Sequence, residues 1–272
     1  RRTPVRSLRA HPCGILSYHA ESSAAANGTV LMARAAAAID NPWPMGADSV
    51  SSIVLVLHGG QAASIKTADR LRGPYLRMIP FAAALHRRSR GRGLSVQLVR
   101  YRYRGWNEPE MHPLADARWA LDHLGEHYPD VPVALLGHSM GARTALRVAD
   151  HPAVVAVCAL APWTPEGEPV HQVAGQSVLI AHGDHDRVTD PRLSYRFAVR
   201  ARAVSDRVCR FDVLGDGHAM LRRPRDWTAL VTRFIEPAVG LADPDPLITD
   251  AMARPTPEGL RVPLPYRLRW PT

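Results

Sequence analysis

Pro132-Val133-Ala134-Leu135-Leu136-Gly137-His138-Ser139-Met140-Gly141-Ala142-Arg143-Thr144-Ala145-Leu146 is the stretch from which the rest of the 272-residue chain is read. Val133 to Leu136 is a short continuous apolar run, the pattern of a buried strand. Ala142, Ala145, Leu146 and Ala149 then recur at helical spacing. Between them the pentapeptide Gly-x-Ser-x-Gly sets a serine at the apex of a strand-turn-helix unit. For its hydroxyl to clear the sheet, the backbone at Ser139 has to be strained, and Gly137 and Gly141 let strand and helix close on the turn. The helix start behind it offers free N–H groups to any negative charge formed there. In that context the pentapeptide reads as a nucleophile elbow.

Working outward, Ser52 to Leu57 is another continuous apolar run and reads as a buried parallel strand ending in His58-Gly59-Gly60-Gln61. Residues 64–90 read as an interrupted helical stretch, and Ser95 to Tyr103 as a strand. His112-Pro113 opens a helix with Leu114, Ala117, Leu121 and Leu124 on one face. After the elbow, Val154 to Leu160, Val178 to Ala181 and Arg207 to Leu214 read as strands. Helices are expected at 191–203 and 224–235. The interval from Pro162 to Gln176 is too short for a helical lid domain. Strands alternating with helices imply an α/β fold: a mainly parallel central sheet flanked by helices. Function in such sheets collects at the carboxyl ends of the strands.

The ends of the chain read differently. Residues 1–50 form a poorly defined lead segment, with a basic start at Arg1 to Arg6, a short helix near 30–39 and a turn at Asn41-Pro42-Trp43-Pro44. The basic start and the apolar run lie too far apart for a signal peptide. Residues 51–236 carry the catalytic pattern. From 237 the chain turns proline-rich, with seven prolines from Pro244 to Pro271. Val262, Leu264, Tyr266, Leu268 and Trp270 alternate there, as an extended strap or a tail would.

Composition, at 46% hydrophobic and 22% charged, is that of a globular domain. No apolar run reaches the roughly 18 residues of a membrane-spanning helix. The formal net charge is +9, yet Lys66 is the only lysine and the arginines are dispersed along the chain, which speaks against a nucleic-acid groove. Cys13, Cys158 and Cys209 are odd in number and lack metal-ligand spacing. Free cysteine in strands suits a reducing, cytoplasmic setting.

Two later strand ends supply what a serine needs. Gly183-Asp184-His185-Asp186-Arg187-Val188 follows one strand, and Gly215-Asp216-Gly217-His218 the next. A histidine must take the hydroxyl proton, and a carboxylate must orient that histidine. Asp184 competes as the acid but suits a turn; Asp190, before Pro191, suits a helix cap. His182, His185 and the nearby aspartates could also be read as metal ligands, but His-x-x-His is a loose spacing and serine chemistry uses no metal. Trp106 and Trp163, at strand ends, either line an acyl pocket or pack in the core.

Taken together, His58-Gly59-Gly60, the elbow, Gly183 to Val188 and Gly217-His218 resemble the α/β-hydrolase family over roughly residues 52–236. The resemblance implies Ser139 as nucleophile, Asp186 as acid and His218 as base. It implies an oxyanion hole from the N–H of Met140 with that of Gly60 or Gln61. No cofactor is implied. The substrate would be a small-molecule acyl ester, cleaved through an acyl-enzyme. Gly-His-Ser-Met-Gly-Ala is also similar to the elbow of thioesterases that edit acyl carriers, although Ala219-Met220 departs from their pattern. Related acyltransferases, perhydrolases and amidases share the triad, and a binding protein on the same fold is the non-enzymatic alternative.

Overall fold

The structure, a computed structural model, describes residues 35–268. The expectations for Arg1 to Arg6, for Cys13 and for Trp270 lie outside these residues. Eight strands form one sheet: β1 (Ala38–Asp40), β2 (Ser52–Leu57), β3 (Leu94–Arg100), β4 (Val133–His138), β5 (Val154–Leu160), β6 (Ser177–Gly183), β7 (Val208–Val213) and β8 (Val262–Pro263). Their order is β1-β3-β2-β4-β5-β6-β7-β8. All neighbours pair in parallel except β1, which runs antiparallel to β3. The α/β class with a mainly parallel sheet is therefore observed.

The main helices are α1 (Gly73–Leu76), α2 (Ile79–Arg88), α3 (His112–His127), α4 (Met140–Arg147), α5 (Pro191–Arg202), α6 (Pro224–Ala238) and α7 (Pro246–Ala253). Both faces of the sheet are covered, which is why its strands are unbroken apolar runs rather than alternating ones. Ile53, Leu55 and Leu57 of β2 join the cluster under α3, α4 and α5, while Val54 and Val56 join the one under α2, α6 and α7.

The chain winds from β2 out to β3, then crosses back over β2 to β4 and continues to β8. The winding direction therefore reverses between β2 and β4. A crevice opens at such a point, outside the carboxyl ends of the strands. Those two ends are His58-Gly59-Gly60 and Ser139.

Three expectations change. Of the helix expected near 30–39, residues 30–34 lie outside the described residues; 35–37 are not helical and lead into β1, whose Asp40 accepts from Arg70 and from the Tyr75 hydroxyl at 2.9 Å. Tertiary pairing overrides local propensity there. Residues 61–72 form no helix. They are tied to the loop after β3 by isolated bridges, Gln61 with Gly105 and Thr67 with Tyr103. The proline-rich region contains α7, started by Asp245, whose side chain accepts from the Leu247 N–H. Beyond it, Val262 pairs with Phe211, and Leu264 N–H donates to the Asp212 carbonyl at 2.9 Å. Tyr266 breaks the alternation: it is exposed, with the Arg223 guanidinium 4.0 Å from its ring centre.

No helix among the described residues is long and apolar enough to cross a membrane.

Candidate active site

Ser139 links β4 to α4 at φ 56° and ψ −119°, a conformation that costs a non-glycine residue on the order of 1–3 kcal/mol. The surroundings impose it. Ser139 N–H donates to the Leu160 carbonyl at 3.0 Å, and its carbonyl accepts from Ala142 at 3.1 Å and Trp163 at 3.2 Å. The flanking glycines are a steric need. A Cβ on Gly137 would lie 2.4 Å from the Gly141 carbonyl oxygen, and one on Gly141 would lie 2.2 Å from that of Leu57.

His218 Nε2 lies 3.0 Å from Ser139 Oγ, and His218 Nδ1 lies 2.7 Å from Asp186 Oδ2. The three residues expected from sequence thus meet across three strand ends. Asp186 also receives the N–H of Val188 at 2.8 Å and of Thr189 at 2.9 Å on Oδ1, and the Thr189 hydroxyl at 3.0 Å on Oδ2. His182 Nε2 is 3.1 Å from that same oxygen. Burial pushes the Asp186 carboxyl upward, but the hydrogen bonds from His182, His218, Thr189 and Val188 outweigh it and hold the group far below the usual carboxylate range. An ionised carboxylate only accepts, so His218 Nδ1 carries the proton and Nε2 is free to accept from Ser139.

The rival acids sit elsewhere. Asp184 Oδ1 accepts from the Gly215 N–H at 2.7 Å, joining the two loops, and Asp190 caps α5 through the Arg192 N–H at 2.9 Å. His182 turns inward to Asp186 and to Ser194 Oγ at 2.8 Å, while His185 is exposed, so the two do not converge as metal ligands. Among the described residues, the group spaced for a metal ion is His123, Glu126 and His127 on α3, apart from Ser139, Asp186 and His218.

Two backbone donors flank the elbow and the glycine turn. Among the described residues, neither the Met140 N–H nor the Gly60 N–H has a hydrogen-bond acceptor. Gln61 is a correction: its N–H donates to the Arg104 carbonyl at 2.9 Å, which leaves Gly60 of the expected pair. A Cβ on Gly60 would sit 2.4 Å from that carbonyl, so only glycine fits.

Trp106 is a second correction. It is fully buried, its Nε1 donates to Glu108 at 3.0 Å, and it has no surface to offer a ligand. Trp163, half-buried, meets it edge-on at 6.1 Å between ring centres. Arg143, on α4, lies 4.1 Å from the Trp106 ring centre and 4.6 Å from that of Trp163. Its Nε donates to the buried Glu168 at 2.8 Å. This brace fixes the loops after β3 and β5 against the elbow helix.

Sequence reading missed three supports. Thr189 and His182 both contact Asp186, and the Thr189 hydroxyl also lies 3.2 Å from His218 Nδ1. Asp216 is buried and accepts from Gly217 N–H at 2.8 Å, Arg223 N–H at 2.9 Å and Trp227 Nε1 at 3.0 Å, anchoring the loop that carries His218 to α6. Beneath the elbow, His138 Nε2 donates to the His218 carbonyl at 3.0 Å. Burial, with His218 beside it, pushes the His138 imidazole down to about 3, so it is neutral.

The arrangement can move a proton from Ser139 to His218 while Asp186 stabilises the charge, and two N–H groups can receive an oxyanion.

Residues 48–176 match the Hydrolase_4 family model, described as serine aminopeptidase, S33. That span includes the Gly59-Gly60 turn and Ser139 but ends before Asp186 and His218. Among similar solved structures are several esterases. An esterase from Pyrococcus furiosus, Pf2001, is 16% identical, with a TM-score of 0.55 over 70% of this chain and 84% of that one. Est1E from Butyrivibrio proteoclasticus, solved with ferulic acid bound, is 15% identical, with a TM-score of 0.55 over 75% and 94%. Esterase 2 from Thermogutta terrifontis, solved with butyrate bound, is 16% identical, with a TM-score of 0.55 over 77% and 91%. No curated protein matches the chain. These likenesses show the α/β-hydrolase fold, as the sequence motifs implied.

Proposed function

We propose that this chain, with its α/β-hydrolase fold, is a serine hydrolase that cleaves a small carboxylic ester through an acyl-enzyme on Ser139. The observation that carries the reading is the continuous relay from Ser139 Oγ through His218 to Asp186, at 3.0 and 2.7 Å. Ser139 Oγ bonds to the acyl carbon as its proton passes to His218 Nε2. The carbonyl oxygen becomes an oxyanion, held by the N–H groups of Met140 and Gly60. The carbon–oxygen bond to the alcohol then breaks, and His218 returns its proton to the departing oxygen. Water repeats the sequence, giving its proton to His218 and releasing the acid. Trp163 offers apolar surface beside the nucleophile, backed by Trp106 and Arg143. No cofactor takes part in these steps.

Labelling with a fluorophosphonate probe tests the reading. The intact chain is expected to label and Ser139→Ala not to, with ester turnover falling by at least about 10³-fold. Full turnover by Ser139→Ala would end the proposal. Oxyester and thioester substrates of the same acyl chain, run side by side, set the leaving-group class.

A further inference from the structure

A cavity of about 350 Å³ opens beside Gly59 and Gly60. That volume is at the lower end of the roughly 300–1,000 Å³ usual for small-ligand sites, so it suits a short arm. Its place identifies which arm. The leaving alcohol has to lie against His218 Nε2, which protonates it. No residue of the loops carrying Asp186 or His218 lines the cavity. Ser139 and Met140 do not line it either; it adjoins the nucleophile through Gly59, where a Cβ would lie 3.3 Å from Ser139 Cβ, so an arm that reaches it passes the glycine turn on the side away from His218 and belongs to the acyl group.

The charged groups in its wall are Asp69, Arg72 and Arg104. Asp69 is engaged by its own turn, Oδ1 accepting from the Leu71 N–H at 2.8 Å. The exposed Arg72 guanidinium has no partner among the described residues. Arg104 gives Nε to the Thr67 carbonyl at 2.8 Å and pairs with no carboxylate among the described residues. The buried arginines Arg143, Arg210 and Arg223 are each paired with a carboxylate, whereas the two in this wall keep their guanidinium groups open to a ligand. Two guanidinium groups without a carboxylate, in the wall of one cavity beside the oxyanion donor, match a planar anion.

We propose that this cavity is an anion subsite: the enzyme acts on half-esters of short dicarboxylic acids, with Arg72 and Arg104 holding the free carboxylate of the acyl arm. This rests on the hydrolase reading above. It adds specificity to that reading and changes no step of the chemistry.

Two esters that differ only at the arm's end test it: p-nitrophenyl valerate and mono-p-nitrophenyl glutarate. The wild type is expected to favour the glutarate by roughly tenfold or more in kcat/KM, mainly through KM. Arg72→Gln and Arg104→Gln should each lower that preference about tenfold, and added salt should lower it as well. Arg72 is exposed, so its substitution leaves folding intact. Arg118→Gln, on α3 and paired with Asp150 away from the cavity, should leave the preference unchanged. Fluorophosphonate labelling of Ser139 is read in the same samples. Labelling with no glutarate preference, with a preference that neither substitution moves, or with neither ester cleaved overturns the subsite and leaves the hydrolase reading standing. Absence of both labelling and turnover removes the hydrolase reading and the subsite with it.

Discussion

Asp186 collects five hydrogen-bond donors on two oxygens, His218 Nδ1 among them, and this is what favours it over Asp184 and Asp190 as the acid of the proposed mechanism. Replacing it with asparagine keeps the shape but presents an amide that can donate to His218, turning the ring to the wrong tautomer. We expect Asp186→Asn to fold normally and to lose roughly 10³–10⁴ in kcat. Retention of more than a tenth of wild-type kcat would show that Asp186 does not orient His218. At this scale Ser139, Asp186 and His218 were legible because each falls just past an apolar run, where polar groups need a reason. Thr189 and His182 were not. A threonine in a turn and a histidine ending a strand look ordinary until the fold brings them to the same carboxylate. Gln61 misled because sequence shows a glycine turn but not which N–H the loop after β3 already uses.

The unit from β4 to α4 depends on backbone contacts at atomic separation. Gly141 lies against the Leu57 carbonyl of the neighbouring strand, so a methyl group there forces helix or strand to move. Gly141→Ala should destabilise the fold by about 1–3 kcal/mol and lower turnover, because the shift falls on Ser139. A denaturation midpoint equal to wild type would contradict that. The elbow was readable because its glycines, its apolar strand and its helical spacing all agree. β1 was not, since its alanine-rich stretch has helical propensity and becomes a strand only through β3 and the anchoring of Asp40. α7 was hidden by prolines, yet Pro246 occupies the first turn of the helix, where its missing N–H costs nothing.

Across the whole molecule, acid is the weak side. Burial pushes the His58 imidazole down to about 4, and burial with the neighbouring His218 pushes His138 to about 3. The unfolded chain takes up protons on both as pH falls below about 6.5, and the native chain cannot. The unfolded state then binds more protons, so stability is full above pH 6.5 and is lost as pH falls toward 4. Two such groups cost about 3 kcal/mol between pH 6.5 and pH 5, a drop in Tm on the order of 10 °C. Asp186 adds a loss of the same sign below its ordinary 3.8. His138→Gln keeps a donor for the His218 carbonyl and does not titrate, so it should halve the slope. Equal melting temperatures at pH 6.5 and 5 would refute the assignment. The whole-molecule order of strands was legible only as a class. That β3 lies outside β2, with the reversal falling between β2 and β4, follows from how the crossovers pack and leaves no mark in the sequence.

Lys66, the chain's only lysine, sits exposed on the loop from Gln61 to Arg72, which is bridged to the loop after β3 and borders the cavity beside Gly60. Amine-directed chemistry therefore has one side-chain address on this protein. A dye, a crosslinker or a solid support coupled through an amide attaches beside the cavity, away from the sheet. Immobilisation through that side chain would crowd the cavity's own entrance, whereas a small fluorophore there would report occupancy without a cysteine being introduced.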